Sequence, residues 1–394
     1  MDELIQLWIG EGFLDGPNPH GLGAFTLDTL EFAYLLEIDE SKQCVEMHDM
    51  IRHAALWLAR DQGRKENNVL VSKVPTPTFA HRLVPNLTTL ILRDGQLQSF
   101  PEGLFDSMPA LKVLDLSGNR WLTELPSDVG NVTTLHYINL SFTSLAELSA
   151  ALGDLINLKC LLLDYTMNLK CIPKELISKL LTLQVYSKMS RVGDCFGSAA
   201  SVPCGEIAFL QVLECLDCLN KIGITIFCAT SLEKILQSPI LRSWDRNLVV
   251  MECINLVSLH FTEKVFSLER LEIFCCNSLK ELKASDRCKL CNLNSLSIRF
   301  CPLLSELNFL SYGRNLESLT TSMQNLKKIC PSPDCFPFLS EFRVYKCPLL
   351  SQIPFDMENA NSLQKIVGER EWWDDLIWCD GAVKDICLMK FVSS

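Results

Sequence analysis

The stretch LTTLIL at residues 87–92 sets a pattern that the chain then repeats. The same spacing of apolar residues returns as LKVLDL at 111–116, LHYINL at 135–140 and LKCLLL at 158–163. In every copy the first, fourth and sixth residues are Leu or Ile, and the residues between them vary. Because side chains alternate along a strand, this spacing predicts a short strand with one face buried in a core.

Eight further copies extend the pattern toward the C-terminus. They begin at Leu180, Leu219, Asp245, Leu268, Leu293, Leu316, Leu339 and Leu363. All but one of the intervals between successive starts fall in the range of about 20–29 residues that is typical of leucine-rich repeats. One repeat cannot bury its apolar edge alone. The pattern therefore predicts an α/β solenoid of about twelve stacked repeats with a parallel sheet on its concave side.

The ninth position of the clearest copies carries a small polar or thiol side chain. The residues there are Asn119, Thr143, Thr166, Cys253, Cys276, Cys301 and Cys347. A buried side chain at this position can hydrogen-bond the turn that leaves the strand. The pattern therefore favours a structural role for these four thiols over a catalytic one.

Residues between the leucines are expected to point into the concavity. In the last third of the array they are charged or aromatic, as are the types that dominate protein interfaces. Our candidate partner-binding residues are Arg270, Phe274, Arg299, Arg343 and Tyr345, with Glu272, Ser297 and Glu341 beside them. In the fourth copy the same positions are Cys160, Leu162 and Asp164. The alternative for any single residue is a merely solvated surface.

Charge limits the classes of partner. The chain has 394 residues and a formal net charge of -11, which disfavours nucleic acid and anionic lipid. No apolar run approaches the roughly 18 residues that a membrane span requires, and the start lacks the basic region of a signal peptide. The expected location is therefore cytoplasmic, with peripheral attachment to the plasma membrane as an alternative.

The nineteen cysteines are odd in number and no export signal accompanies them, so reduced thiols are expected. Two CxxC pairs, Cys215/Cys218 and Cys288/Cys291, are separated by far more than the roughly 15–20 residues of a zinc ribbon. We therefore expect no metal site.

Two regions depart from the repeat. Ser187 to Gly205 is rich in Ser, Gly and Ala and reads as an insertion on the loop side. After Leu363, three tryptophans stand among aspartates, at Trp372, Trp373 and Trp378. Large aromatics of this kind predict a cap over the last apolar edge of the array.

The first eighty residues predict a different module. Apolar stripes indicate helices near Leu4–Ile9 and Leu27–Leu36, and Leu36–Ile38 with Cys44–Met47 indicates a short hairpin. A third helix is expected to begin at Asp49. Helices with a small hairpin suggest a winged-helix domain. Thirteen acidic and six basic residues give this region a net charge of -7, which argues against DNA binding.

Three stretches resemble one family. They are LIQLWIGEGF at 4–13, VEMHDMIR at 45–52 with ALWLA at 55–59, and IVGE at 366–369 followed by Trp372 and Trp373. They look like the winged-helix part and the C-terminal close of plant nucleotide-binding leucine-rich-repeat disease resistance proteins of the coiled-coil class. The resemblance implies an intracellular immune receptor whose repeats sense a pathogen effector or a guarded host protein and regulate a nucleotide switch.

In that family the motif histidine, His48 here, contacts the β-phosphate of bound ADP. ADP and ATP are thus the cofactors implied for a full-length member. No G-x-x-x-x-G-K-[ST] phosphate loop occurs in this sequence. The resemblance therefore implies a truncated receptor whose nucleotide-binding and coiled-coil regions are missing, with no cofactor and no ATP hydrolysis by this chain.

The expected domains are a winged-helix domain at 1–80, the solenoid at 81–362, and the last repeat with its cap at 363–394. The alternative function is a generic repeat adaptor, such as a ubiquitin-ligase substrate receptor. An enzyme is the weakest interpretation, because none of the six histidines stands in a recognisable catalytic motif.

Overall fold

A computed structural model describes most of the chain. The described residues are 1–16, 18–38, 45–47, 69–71, 85–169, 171–190, 206–238, 245–261, 268–285, 290–330, 332–378 and 380–394. They form two compact units. The first comprises Met1–Lys188 with Cys215–Asn220, and the second comprises Met189–Glu214 with Lys221–Ser394.

The first unit contains a run of six parallel strands. They are β3 (Val69–Val71), β4 (Thr89–Ile91), β5 (Val113–Asp115), β6 (Tyr137–Asn139), β7 (Cys160–Leu162) and β8 (Val185–Lys188). Each strand after β3 comes from one copy of the repeat. An antiparallel hairpin of β1 (Glu37–Ile38) and β2 (Val45–Glu46) lies outside this run.

The second unit contains eight parallel strands in one run. They are β9 (Lys221–Ile226), β10 (Asp245–Met251), β12 (Leu268–Phe274), β14 (Ser295–Arg299), β15 (Ser318–Ser322), β16 (Glu341–Val344), β17 (Lys365–Gly368) and β18 (Phe391–Ser393). A separate parallel pair joins β11 (Ser258–Phe261) to β13 (Glu281–Ala284).

Helices are short except at the N-terminus. They are α1 (Asp2–Glu11), α2 (Pro19–Phe32), α3 (Lys174–Ile177), α4 (Glu206–Leu213), α5 (Ala229–Gln237), α6 (Met357–Ser362), α7 (Arg370–Asp374) and α8 (Gly381–Leu388). Single 3-10 turns connect several strands, at Phe105–Ser107, Ser127–Asn131, Ala150–Asp154, Asn308–Tyr312 and Pro333–Cys335. Short connections of this type are what a repeat of about 24 residues leaves room for.

The leucine-rich-repeat solenoid expected from the sequence is confirmed, with two corrections to its register. β9 and β10 pair Ile224 with Leu248, so the copies predicted to begin at Leu219 and Asp245 are offset from each other by two residues. β7 and β8 pair Leu161 with Tyr186, so the fifth copy begins at Leu183 and not at Leu180. Leu180 and Leu183 are both buried, which explains why spacing alone chose the wrong leucine. The shift of three residues turns Val185 away from the core side of the sheet, because successive side chains alternate.

The ninth-position residues act as expected. Asn119 donates from Nδ2 to the carbonyls of Leu92 and Leu116, at 2.6 and 2.7 Å. The Thr143 hydroxyl donates to Leu140 O at 2.7 Å, and the Cys301 thiol donates to Arg299 O at 3.5 Å. All seven side chains are buried. Their role is to satisfy the carbonyls where each strand ends.

The residue before this position has a left-handed backbone in every one of these copies. Gly118 has φ 78°, but the others are not glycine and have φ between 49° and 59°; they are Phe142, Tyr165, Glu252, Cys275, Phe300 and Lys346. A bulky residue adopts this conformation at a cost of about 1 kcal/mol or more. The sequence carries no signal for it, since only one of the seven is glycine.

The sheet runs extend beyond the repeats found in the sequence. β3 precedes the first copy and pairs with β4, while β18 follows the last copy and pairs with β17. Trp373 is buried and stacks on Phe391 of β18, with ring centroids 4.3 Å apart. Trp372 donates from its indole nitrogen to Leu350 O at 2.9 Å. The C-terminal tryptophans therefore cover the last strands, as expected.

The N-terminal region agrees with the sequence in part. The first helix and the hairpin are present, and Gly12 ends α1 with φ 84°. The second helix begins earlier than expected and ends at Phe32, so Tyr34 lies beyond it and is 89% exposed. The third helix expected at Asp49 lies outside the described residues. The winged-helix domain and the boundaries after residues 80 and 362 remain predictions. The insertion at Ser187–Gly205 also remains a prediction, since most of it lies outside the described residues.

Two observations concern the cysteines and the membrane. Cys330 and Cys335 form a disulfide, which differs from the expectation that all thiols are reduced. Within the described ranges, no cluster of three or more His, Cys, Asp or Glu side chains could hold a metal ion. In the same part of the chain, every helix is too short or too polar to cross a bilayer.

Candidate recognition surfaces on the outer face of the sheet

We call outer face the side of each sheet run whose side chains alternate with the repeat leucines. In the first unit this face is apolar and covered. The strand residues involved are Val113, Tyr137, Cys160, Leu162 and Val185, and the residues packed on them are Ile5, Ile9, Leu14, Leu27 and Leu36. All ten are buried. The N-terminal segment, which we define as residues 1–16 and 18–36, thus covers this face, with α1 against β5, β6 and β7 and α2 packed on α1.

A glycine permits the closest approach. A Cβ added at Gly10 would stand 2.6 Å from Tyr137 Cβ and 3.1 Å from Val113 Cγ2. Real Cβ atoms do not tolerate the shorter distance, so α1 can only lie this close to β6 with glycine at this position. The Gly10 carbonyl oxygen also lies 2.9 Å from His136 Nδ1. Gly10, the first glycine of the motif at 4–13, is therefore a packing residue.

Ion pairs and hydrogen bonds surround this apolar contact. Arg93 contacts both the buried Asp115 and Glu3 of α1. Lys159 pairs with Asp15, and a hydrogen bond to Lys159 lowers the pKa of that carboxyl group. These contacts connect the N-terminal segment to β4–β7 by charge as well as by apolar area. Charged pairs at a partly exposed rim contribute little stability each, so they fix the register of the contact more than its strength.

Burial changes the chemistry of two outer-face groups. Desolvation raises the pKa of the Cys160 thiol and that of the Tyr137 hydroxyl well above their usual values. Both groups therefore stay neutral. The sequence placed Cys160 and Leu162 on a surface open to partners, and the structure corrects this, since both are buried beneath the N-terminal segment.

The outer face of the second unit is built differently. Strand pairing places Glu272, Ser297, Thr320 and Arg343 in one row across four neighbouring strands. A second row contains Phe274, Arg299 and Ser322. All seven residues therefore share one face, and Phe274, Arg299 and Arg343 lie on the face that the sequence assigned to them. Side chains on neighbouring strands within one row lie within reach of one another, because neighbouring strands are about 4.8 Å apart.

Phe274 does not offer its ring to a partner. It is 5% exposed and packs with Val249 and Met251 of the outer face, and with Met189 and Phe227. Arg299 lies over the ring of Phe274, with its guanidinium carbon 5.6 Å from the ring centroid. A cation over an aromatic face is attracted to it, so Phe274 acts as a platform for the arginine.

The other candidate side chains remain accessible. Arg270 is exposed and lies 4.0 Å from a Glu272 carboxylate oxygen. Arg343 is half-buried and donates to Glu341 at 2.5 Å, and this bond raises the pKa of Arg343. Tyr345 follows β16 and is also half-buried. On this face β15, the strand between the arginines, carries the small residues Ser318, Thr320 and Ser322. The SLTTS pattern displays this strip, but it was not among the residues predicted from the sequence.

His48, the expected contact of the ADP phosphate, lies outside the described residues. Of the candidate residues, the structure therefore places the five of the outer face on β12, β14, β16 and the turn after β16. It brings Arg299, Arg343 and Tyr345 to one accessible region beside the small strip of β15.

The fold defines a leucine-rich-repeat protein. The chain belongs to the leucine-rich repeat region family, which it matches over residues 71–379. A probable disease resistance protein of Arabidopsis thaliana is 32% identical over 81% of this chain and 42% of its own length. Another relative, the disease resistance protein RPS5 of the same plant, is 26% identical over 97% of this chain and 50% of its own length.

The chain thus spans about half the length of the curated relatives it matches. These relatives favour the disease-resistance interpretation over the generic adaptor. Among solved structures, an internalin of Listeria monocytogenes is 14% identical, with a TM-score of 0.42 over 79% of this chain and 80% of its own.

Proposed function

We propose that this chain is the sensing part of an intracellular plant immune receptor, and that the outer face of its second unit recognises a pathogen effector or a guarded host protein. The relatives, which are named disease resistance proteins, support the first half of this proposal. The difference between the two outer faces supports the second half. One is filled by the chain's own helices, and the other presents accessible arginines and a tyrosine.

The observation that carries the proposal is the cluster of Arg299, Arg343 and Tyr345 around the small strip of β15. A rigid sheet holds these side chains, so little ordering entropy is lost when a partner binds. Arg and Tyr are also among the residues most often found at the energetic centre of an interface, where each contributes about 2 kcal/mol or more. Between them, Thr320 and Ser322 are only 6% and 5% exposed, so a partner would contact mainly the arginines and the tyrosine.

The nucleotide switch belongs to the proposal for the intact receptor. There, His48 is proposed to contact the phosphate of ADP, and the cytoplasm is the proposed location. We expect the chain alone to bind neither ADP nor ATP at micromolar concentration, because one histidine replaces the several amides and the lysine of a phosphate loop. Isothermal titration calorimetry measures this directly, and micromolar binding of either nucleotide contradicts it.

The recognition surface is tested with the full chain against a panel of purified effectors and host proteins. A variant with Arg299, Arg343 and Tyr345 replaced by Ala is compared with a control that replaces the exposed Arg314, Arg370 and Phe338 by Ala. We expect any partner bound by the parent to be lost only by the first variant, at an unchanged melting temperature. Equal binding by both variants would show that recognition lies elsewhere.

A further inference from the structure

The arginines on the outer face of β12–β16 differ in how their charge is compensated. Arg270 has Glu272 within 4.0 Å, and Arg343 has Glu341 within 2.5 Å. Arg299 has no carboxylate within salt-bridge distance among the residues that the structure describes. Among the described residues, the guanidinium of Arg299 instead lies over the ring of Phe274. One positive charge on this face is therefore left over.

The ring of Phe274 makes that charge better suited to binding. An arginine that stacks on a buried ring has fewer rotamers to lose when it docks, since one side of its guanidinium is already fixed. The buried Phe274 is itself held by Val249 and Met251 on the neighbouring strand. The guanidinium is thus a preorganised donor fork on a rigid base, which is the geometry that carboxylates match.

Further donors lie beside it. The Ser297 hydroxyl and the Nε atoms of Arg299 and Arg343 are all buried and have no acceptor among the described residues. Ser297 and Thr320 are paired in register, and Arg343 follows in the same row. An acceptor that enters beside Arg299 over the strip of β15 therefore meets donors on both sides of that strip.

We propose that Arg299 is the anchor for an aspartate or glutamate side chain of the protein partner, with Ser297 and Arg343 completing the site. This inference rests on the proposed function, and it adds the chemistry of the partner at one position. An acidic residue supplies the single negative charge that the face lacks. Placing it against an arginine in a partly desolvated position favours the correct partner and disfavours one that presents a positive charge there.

The charges around the site favour a carboxylate over a phosphate group. The carboxylates of Glu272 and Glu341 flank it, so a second negative charge on the ligand would face repulsion that a single charge largely avoids. Each of these glutamates already occupies one arginine. Among the outer-face side chains of these strands, three arginines face two glutamates, and a monovalent carboxylate compensates the one remaining positive charge.

The test uses the full chain and a displayed library of random twelve-residue peptides. Peptides are selected on the parent chain, and the affinity of each enriched peptide is measured for the parent, Arg299→Gln and the control Arg314→Gln, at an exposed arginine outside the candidate residues. We expect enriched peptides to share an Asp or Glu. Changing that residue to Asn or Gln should weaken binding to the parent about 10- to 100-fold, as loss of a charged hydrogen bond does.

The same peptide change should weaken binding to Arg299→Gln less than about 2-fold, because the partner of the carboxylate is then already gone. Arg314→Gln should behave as the parent does, and Arg299→Lys should retain part of the effect, since lysine keeps the charge but not the planar fork. Replacing the acidic residue by phosphoserine should give no tighter binding to the parent.

Three outcomes overturn the inference. They are enriched peptides without a shared acidic residue, an acidic residue whose effect is equal on parent and Arg299→Gln, and tighter binding of the phosphoserine peptide. If such peptides still lose binding to the variant lacking Arg299, Arg343 and Tyr345, the proposed surface survives and only its chemistry is wrong. If no peptide enriches, or none responds to that variant, both the surface and this inference fail.

Discussion

The outer faces of the two units occupy the same repeat positions but differ in their side chains and in what covers them. On β5–β8 these positions hold Val113, Tyr137, Cys160, Leu162 and Val185, and the N-terminal segment buries them. On β12–β16 they hold mainly arginine, glutamate, serine and threonine, and the arginines there remain accessible. A repeat fixes which side chains face outward, but not what they meet. The identity of those side chains decides whether the chain covers the face itself.

The comparison also separates stability from recognition. Apolar area buried between the N-terminal segment and the sheet stabilises the first unit at about 25 cal/mol per Å². Exposed arginines on the second unit contribute almost nothing to folding and are available for a partner. Substitutions on the two faces should therefore differ in how much they change the free energy of unfolding.

The largest effect is expected for Ile9→Ala. Ile9 is fully buried at the centre of the contact between α1 and the outer face, so removing its side chain leaves a cavity that costs about 2–5 kcal/mol. Hydrogen exchange of the amides of Asp2–Glu11, together with urea unfolding, measures the loss. The matched control is Ile156→Ala, since Ile156 is 58% exposed in the same unit and should change stability by less than about 0.5 kcal/mol.

The thiol of Cys160 gives a second measurement on the same variant. Cys160 is buried beneath Gln6 and neighbouring residues, and its sulfur lies 3.9 Å from Gln6 O. In the parent, Cys160 should resist alkylation, as should the buried Cys253 and Cys347. In Ile9→Ala, the alkylation of Cys160 alone should become faster. Equal labelling of Cys160 in parent and variant would mean that the N-terminal segment does not protect the outer face.

A smaller effect is expected for Gly10→Ala. Helix propensity alone would make alanine stabilising by roughly 0.8–1 kcal/mol at this position. The new methyl group would instead meet Tyr137 at 2.6 Å, and overpacking of this kind costs about 1–3 kcal/mol. We therefore expect net destabilisation of the first unit in urea unfolding. Gly381→Ala, where a Cβ meets no atom within 4 Å, is the control; a stabilised Gly10→Ala would refute the close contact.

On the second unit, Arg299→Ala should change stability much less. Its guanidinium has no carboxylate partner among the described residues, and an exposed cation above an aromatic ring contributes about 0.5–1 kcal/mol. Thermal melting should therefore shift only slightly. A loss as large as that of Ile9→Ala would show that the outer face of β14 is buried in the folded chain, which would end the contrast between the two faces.

The smallest effect concerns pH. Partial burial lowers the pKa of His136, whose ring contacts Gly10, and the nearby Lys159 and Lys112 lower it further. A depressed pKa means that the neutral form is favoured in the folded state. The contribution of neutral His136 to stability is therefore fully present above its unfolded-state pKa near 6.5, and it is lost as the pH falls through its folded-state pKa. Amides of α1 should exchange faster at pH 5.5 than at pH 7.5 after correction for intrinsic rates.

His136→Gln should reduce this pH dependence. Glu11 acts in the opposite direction, because burial raises its pKa and protonation in acid relieves the buried charge. The His136→Gln variant should thus retain or gain protection of α1 at acid pH relative to pH 7.5, and Glu11→Gln should remove that residual effect. An unchanged pH profile in His136→Gln would assign the dependence to another group.

The repeat could be read from the sequence almost completely, because leucines at fixed spacing have only one way to stack. The twelve starts gave twelve strands, with two errors of register. Leu180 was assigned in place of Leu183, since two buried leucines three residues apart compete for the first position, and the starts at Leu219 and Asp245 are offset by two residues. Strands β3 and β18 escaped notice because three-residue strands without a repeat pattern carry no periodic signal. The ninth-position hydrogen bonds followed directly from residue type.

The candidate surface was predictable in direction but not in exposure. Alternation along a strand placed Phe274 and Arg299 correctly on the outer face, yet spacing cannot tell that Phe274 is buried by Met189 and Phe227 from elsewhere in the chain. Pairing of Arg343 with Glu341 and of Arg270 with Glu272 follows from their separation by two residues, whereas the lack of a partner for Arg299 depends on every neighbouring strand.

The sequence by itself therefore determined the repeat, the sheet, the direction of each side chain and the family likeness, because these depend on local spacing and residue type. Only the tertiary structure decided which outer positions are covered, which charge is unpaired and why Gly10 is a glycine. Those properties depend on contacts between residues of different repeats or modules, as far apart in the chain as Gly10 and His136. No local pattern encodes such contacts, since they arise when separately formed elements pack against each other.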